Sequence, residues 1–209
     1  MILYHGTSFE RAKIILKAGL IKRDAKQNYD ECPMSTTEGF VYLTNNICRA
    51  IKYAANTYYL EKQEKRKLGS HSIINMINAL SIFKWDINES LLQPDLDEYK
   101  IIKKLEMPVN TTYEQSLKDV YSTRISRDIN LLNSCKGFTV LPAYDVNDSE
   151  FFYLSEINFS DNKKEKIIII SKLVKSALQA GNTVRRINEG RYQDTSFIEW
   201  KQPKLNESR

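Results

Sequence analysis

An apolar tetrapeptide, Met1-Ile2-Leu3-Tyr4, runs without a break into His5-Gly6-Thr7 and from there into an amphipathic helical pattern. No other stretch restricts the possible folds as much. A short apolar run closed by polar residues has the length and composition of a buried strand. Phe9, Ala12, Ile15, Leu16 and Leu20 then recur at spacings of three and four, which places them on one helix face. Thr7 or Ser8 can cap that helix, with Thr7 and Glu10 at capping-box spacing, and Gly19 supplies a C-terminal stop. The pattern predicts a histidine, a glycine and a hydroxyl at the point where a strand ends and a helix begins. Backbone groups are unpaired at such junctions, and small ligands bind there.

The next segments alternate strand and helix signals. Residues 21 to 38 are polar without a period and predict a surface loop that covers the junction. Phe40 to Leu43 predicts a strand, and Asn45 or Asn46 a helix cap. Ile47, Ala50, Ile51, Ala54 and Tyr58 form the apolar stripe of the following helix, which continues into the charged run Glu61 to Lys67 and stops at Gly69. Phe83, Trp85 and Ile87 alternate with Ile82, Lys84 and Asp86, the period of a half-buried strand. Leu91 to Asp97 predicts a turn, where Asp95 and Asp97 read as turn chemistry before a metal site. Tyr113 to Asp119 reads as helical or extended and polar. A strand over 120–126, the segment Asp128 to Leu132 and a strand over 137–141 follow. Beyond Pro142 the pattern predicts a strand over 151–158 and a helix within 163–180.

Two of these segments together resemble the opening of ADP-ribosyltransferase-fold proteins of the diphtheria-toxin and poly(ADP-ribose) polymerase branch. One is Leu3-Tyr4-His5-Gly6-Thr7 with Ile14-Ile15-Leu16-Lys17-Ala18-Gly19-Leu20. The other is Gly39-Phe40-Val41-Tyr42-Leu43-Thr44, similar to the family's strand whose tyrosine stacks on nicotinamide. Tyr53 stands eleven residues after Tyr42, the interval of the second stacking tyrosine. NAD-dependent RNA 2'-phosphotransferases share the His-Gly-Thr opening. The resemblance implies an α+β chain, an ADP-ribosyltransferase-like split β-sandwich with an NAD cleft and flanking helices. It implies NAD as substrate and no metal.

By the same resemblance Gly6 would clamp the carboxamide, Tyr42 and Tyr53 would sandwich the nicotinamide, and His5 and Thr7 would hold the ribose hydroxyls. His5, Tyr42 and Asp119 would form the catalytic set. Asp119 falls where the family has Glu; Glu114 is the alternative acid and Glu199 a more remote one. Ala50 stands where the polymerases have a carboxamide-binding serine. The resemblance covers residues 1–142 as a catalytic core, leaving 143–200 as a basic extension packed on it and 201–209 as a flexible tail.

The chain has a net charge of +5, and its basic character is concentrated near the C-terminus. Between Lys163 and Arg191 eight Lys or Arg face only Glu165 and Glu189. Phosphate contacts need such a surface, so Arg185, Arg186 and Arg191 are candidate nucleic-acid contacts, and RNA or DNA is favoured slightly over protein as acceptor. The expected activity is mono-ADP-ribosylation by a bacterial or phage toxin or defence effector, with a possible antitoxin protein as partner. An RNA 2'-phosphotransferase and a catalytically silent NAD- or partner-binding module are the alternatives. Cys32, Cys48 and Cys135 have no metal-ligand spacing, and only His5 and His71 could join them. No apolar run reaches bilayer-spanning length and no basic segment precedes an apolar one at the start, so no membrane association and a cytoplasmic location are expected.

Overall fold

A computed structural model describes residues 1–24, 36–67, 79–103, 110–143 and 198–203. The expected strand over 151–158, the helix within 163–180, the basic segment with Arg185, Arg186 and Arg191, and Cys32, His71 and Gly69 lie outside the described residues. The fold is α+β, the class that the resemblance implies. Strand β1 (Ile2–Ser8) leads directly into α1 (Phe9–Ala18) and a short β2 (Leu20–Ile21). Then come β3 (Val41–Thr44), the long α2 (Ile47–Lys67) and β4 (Ala79–Asp86). A single 3-10 turn at Glu89–Leu91 precedes β5 (Gln93–Pro94) and α3 (Leu96–Lys103). Helix α4 (Tyr113–Val120), β6 (Ser122–Ile125), β7 (Ile129–Asn130), α5 (Leu131–Ser134) and β8 (Cys135–Pro142) complete it.

Six strands form one sheet in the order β5-β6-β3-β1-β4-β8, every pairing antiparallel, and β2 pairs with β7 in a second, two-stranded sheet. The first strand of the chain is therefore central. Both faces of the larger sheet are covered. On one, Leu3, Leu43, Phe83, Trp85 and Ile125 meet Ala12 of α1, Leu117 of α4 and Leu131 of α5. On the other, Leu80, Ile82 and Leu141 meet Ala50, Ile51, Ala54 and Tyr58 of α2. Trp85, Phe83 and Tyr58 are fully buried, and each such side chain contributes roughly 1.5–3 kcal/mol relative to exposure.

Two expectations at the start of the chain shift. Strand pairing with β4 continues through Ser8↔Leu80, so His5, Gly6 and Thr7 lie inside β1 rather than at its end. Ser8 alone is the cap of α1: its hydroxyl accepts from the Arg11 N–H at 3.2 Å, while Thr7 is buried in the sheet. Gly19 closes α1 in the left-handed conformation with φ 71°, as its position predicts. Near the other end, Lys201 exchanges two 2.8 Å backbone hydrogen bonds with Phe138 on β8, so the expected flexible tail begins with a residue held in the sheet. Ile198 is buried there and Trp200 stacks on Tyr4 with ring centroids 5.9 Å apart. Cys48 and Cys135 are free thiols.

Candidate functional site

Backbone parity along β1 decides which groups it leaves for a ligand. Met1 and Ile87 exchange two hydrogen bonds, Ile87 N–H to Met1 O at 2.9 Å and the Met1 ammonium to Ile87 O at 2.8 Å. The register with β4 is unbroken from Ile2↔Asp86 to Ser8↔Leu80. Odd-numbered residues thus turn their N–H and C=O towards β4, and Tyr4, Gly6 and Ser8 turn theirs towards β3. On that side only Tyr4↔Thr44 is paired. The two strands part beyond it, and the backbone groups of Gly6 face the parting with no ladder partner on β3.

Side chains alternate across the same strand. Tyr4 and Gly6 lie on the α2 face together with Thr44 and Tyr42, whereas His5 and Thr7 lie on the α1 face together with Leu43 and Phe83. His5 and Tyr42 are therefore joined only through backbone: Nδ1 of His5 lies 3.0 Å from the Tyr42 carbonyl oxygen. A carbonyl can only accept, so Nδ1 carries the proton and Nε2 is the bare nitrogen of the neutral ring. Burial lowers the His5 pKa; the Tyr42 carbonyl opposes that shift and the nearby Arg11 charge adds to it. The absent side chain of Gly6 has a packing reason of its own. A Cβ there would stand 1.8 Å from the Ala50 carbonyl oxygen, because the backbone of α2 lies directly on the glycine.

Tyr42 and Tyr53, the two aromatic residues singled out by their interval, converge on consecutive carboxylates at the start of α3. The Tyr42 hydroxyl donates to Oδ2 of Asp97 and lies 3.0 Å from the Thr37 carbonyl oxygen. The Tyr53 hydroxyl donates to Oε1 of Glu98 at 2.6 Å. Burial first, and then these carboxylates, push both phenols well above the ordinary tyrosine value, so both remain protonated donors. Arg49 reaches the same Glu98 oxygen at 3.5 Å. Arg124, opposite Tyr42 across β3 and β6, approaches Asp97 at 3.4 Å and lies over the Phe40 ring with its guanidinium carbon 4.0 Å from the centroid. It is 7% exposed, and its Nε has no hydrogen-bond partner among the described residues.

Asp95 holds this arrangement from below. Its Oδ1 accepts from the N–H groups of Asp97 and Glu98 at 3.1 and 2.9 Å, and its Oδ2 accepts from Ser122 at 2.5 Å. Its own N–H donates to Ser116 Oγ at 2.9 Å. Burial, with Glu98 and Asp97 adding to it, pushes its pKa up to about 6 against the hydrogen bonds that oppose the shift. The acidic turn read from the sequence is thus a helix cap whose next two acids orient the tyrosines. Among the described residues no group of three metal-ligating side chains occurs.

Asp119 stands apart from the tyrosine pair. It is the penultimate residue of α4, and its carboxylate accepts from the Gln115 side chain at 2.8 Å. No contact joins it to His5, Tyr42 or Tyr53 among the described residues. Glu114 and Glu199 are exposed. Asp97, Glu98, Arg49 and Arg124 are the residues that sequence reading did not assign to this neighbourhood. Their contacts span 27 to 55 positions, beyond any local signal. Among the described residues no helix is long and apolar enough to cross a membrane. Comparison with protein-family models, with curated proteins and with solved structures finds no match to this chain.

Proposed function

We propose that the chain is an NAD-dependent mono-ADP-ribosyltransferase with an ADP-ribosyltransferase-like split β-sandwich, attaching ADP-ribose to a macromolecule. The observation that carries this reading is the parting of β1 from β3 beside Gly6, on the sheet face where Tyr42 lies and Tyr53 is held by the adjoining helix. The backbone N–H and C=O of one residue form a donor–acceptor pair that matches a primary carboxamide. Tyrosine rings fixed by their hydroxyls offer flat apolar faces at low entropic cost. Nicotinamide has both features, a carboxamide on a flat ring.

In the reaction the nicotinamide–ribose bond breaks and its electron pair leaves with the ring nitrogen as neutral nicotinamide. Positive charge spreads over the ribose C1' and ring oxygen. A hydroxyl or amine of the acceptor then bonds to C1' and loses its proton to solvent. Immobilising the ribose and placing negative charge near it lower the barrier. RNA or DNA is the acceptor favoured by the basic run over 163–191, which also suits a toxin restrained by an antitoxin.

The test is incubation of the protein with labelled NAD and, in turn, RNA, single-stranded DNA and cell lysate. The expected result is nicotinamide release with label on a macromolecule, lost in Tyr42→Ala. Absence of nicotinamide release from every mixture refutes the reading. A second reading, an NAD-binding module without turnover, is favoured by the pairing of Asp119 with Gln115 and the lack of any contact, among the described residues, between Asp119 and the tyrosine pair; NAD binding with no release in any mixture would establish it.

A further inference from the structure

We infer that Glu98, not Asp119, is the carboxylate that faces the ribose in this cleft. The inference rests on the NAD reading and names a residue which that reading did not assign. Of the carboxylates that border α3 or were expected to act, Glu114 and Glu199 are exposed, and hydrogen-bond capacity together with position separates the other four. Both oxygens of Asp95 are occupied by backbone N–H groups and Ser122, and the residue is 2% exposed. Asp97 accepts from the Thr37 hydroxyl on Oδ1 and from the Thr37 N–H, Tyr42 and Arg124 on Oδ2, which engages both of its oxygens. Asp119 accepts from Gln115 on Oδ2, but both residues lie on α4, and among the described residues no contact joins Asp119 to either tyrosine. Glu98 takes the Tyr53 hydroxyl and Arg49 on Oε1 alone. Among the described residues its Oε2 accepts no hydrogen bond.

A carboxylate with one anchored oxygen and one open oxygen is suited to accept from a ribose hydroxyl while its charge faces C1'. The anchoring donor is Tyr53, the residue expected to stack on the leaving nicotinamide, so the open oxygen borders the bond to be broken. A separate observation marks the neighbourhood as built for a polar ligand. The Nε of Arg124 is buried on the Tyr42 side of the same helix terminus with no partner among the described residues, a donor that a folded chain seldom leaves unpaired. Glu98 would act on charge development more than on ground-state affinity, so its loss falls on kcat.

The experiment compares wild type, Glu98→Gln and Asp119→Asn for nicotinamide release, with NAD affinity measured by calorimetry on each. Glu98→Gln keeps the size of the side chain and an oxygen for Tyr53, and its unfolding midpoint is checked against wild type. The expected result is a fall in kcat of about 100-fold or more in Glu98→Gln, with NAD affinity within about threefold of wild type. Glu98→Asp, which keeps the charge one methylene short, is expected to retain more turnover than Glu98→Gln. Turnover retained by Glu98→Gln, or lost in Asp119→Asn alone, overturns the inference and leaves the NAD reading standing. A wild type that neither binds nor cleaves NAD overturns both.

Discussion

Gly6→Ala tests how closely α2 lies on β1. In a strand interior the substitution ordinarily helps, since glycine loses roughly 0.5–1 kcal/mol relative to alanine through its unfolded freedom. Gly6 has no positive φ that would bar a side chain. The opposing effect is steric. The new Cβ would stand 1.8 Å from the Ala50 carbonyl oxygen and 2.7 Å from its carbon, both helix backbone that no rotamer change can clear. To restore even a 3.0 Å contact, α2 must retreat by about 1.2 Å. A gap of 0.5–1 Å already forfeits roughly a quarter to a half of each dispersion contact. Ile51, Ala54 and Tyr58 all leave Leu80, Ile82 and Leu141 together. Overpacking costs about 1–3 kcal/mol, and a rigid backbone contact belongs at the upper end. Net of the gain from replacing glycine, destabilisation of about 2 kcal/mol is expected. Urea unfolding followed by circular dichroism reads this as a midpoint lowered by about 1 M at the usual slope for a small protein. An unchanged or higher midpoint would show that α2 does not rest on this glycine, and the reason given for Gly6 would fail.

Three further outcomes follow from particular contacts. Asp95 has a folded pKa of about 6 against an ordinary value of 3.8, so the folded state binds its proton more tightly than the unfolded one. Its contribution to stability is then fully present below the unfolded value and is lost as pH rises to about 6, by about 3 kcal/mol as an order of magnitude. Urea midpoints of Asp95→Asn should lack this fall between pH 4 and 7, and a slope equal to wild type contradicts the assignment. Ser8→Ala removes the cap of α1 and should cost about 1 kcal/mol, whereas Thr7→Val, at a residue that does not cap, should leave α1 intact by amide exchange. Trp200→Ala removes the ring over Tyr4 and Lys84, and is expected to raise protease cleavage after Lys201 several-fold; unchanged cleavage would mean that the backbone pairing with Phe138 holds this segment alone.

Local patterns carried the helices and strands well. The stripe from Ile47 to Tyr58 and the caps at Asn46 and Gly19 recur in the structure because each depends on neighbours within a few positions, whereas β4, expected as a half-buried strand, is buried on both faces, with Leu80 and Ile82 against α2 and Phe83 and Trp85 in the opposite core. Thr7 and Ser8 were indistinguishable as caps, since the choice depends on how far pairing with β4 extends, and β4 lies some seventy residues away. The same limit hid the cluster around α3. Pro94-Asp95-Leu96-Asp97-Glu98 reads as an acidic turn, and only the fold shows that its carboxylates meet tyrosines from β3 and α2. Arg124 looked like an ordinary strand residue; its burial follows from pairing opposite Tyr42.

The central position of β1 has a consequence for biosynthesis. Among the described elements this strand is made before the others, yet its full-length partner β4 ends at Asp86, and β8, which flanks β4, ends at Pro142. At roughly 5–20 residues per second, on the order of 4 to 16 s separate its emergence from that of β4. During that interval only β3, paired with it at Tyr4↔Thr44, is available to it, and the edge that β4 will take up over Ile2–Ser8 stays unpaired. Premature termination before β6 would yield fragments that lack the neighbour of β3 and so leave β3 as a bare sheet edge.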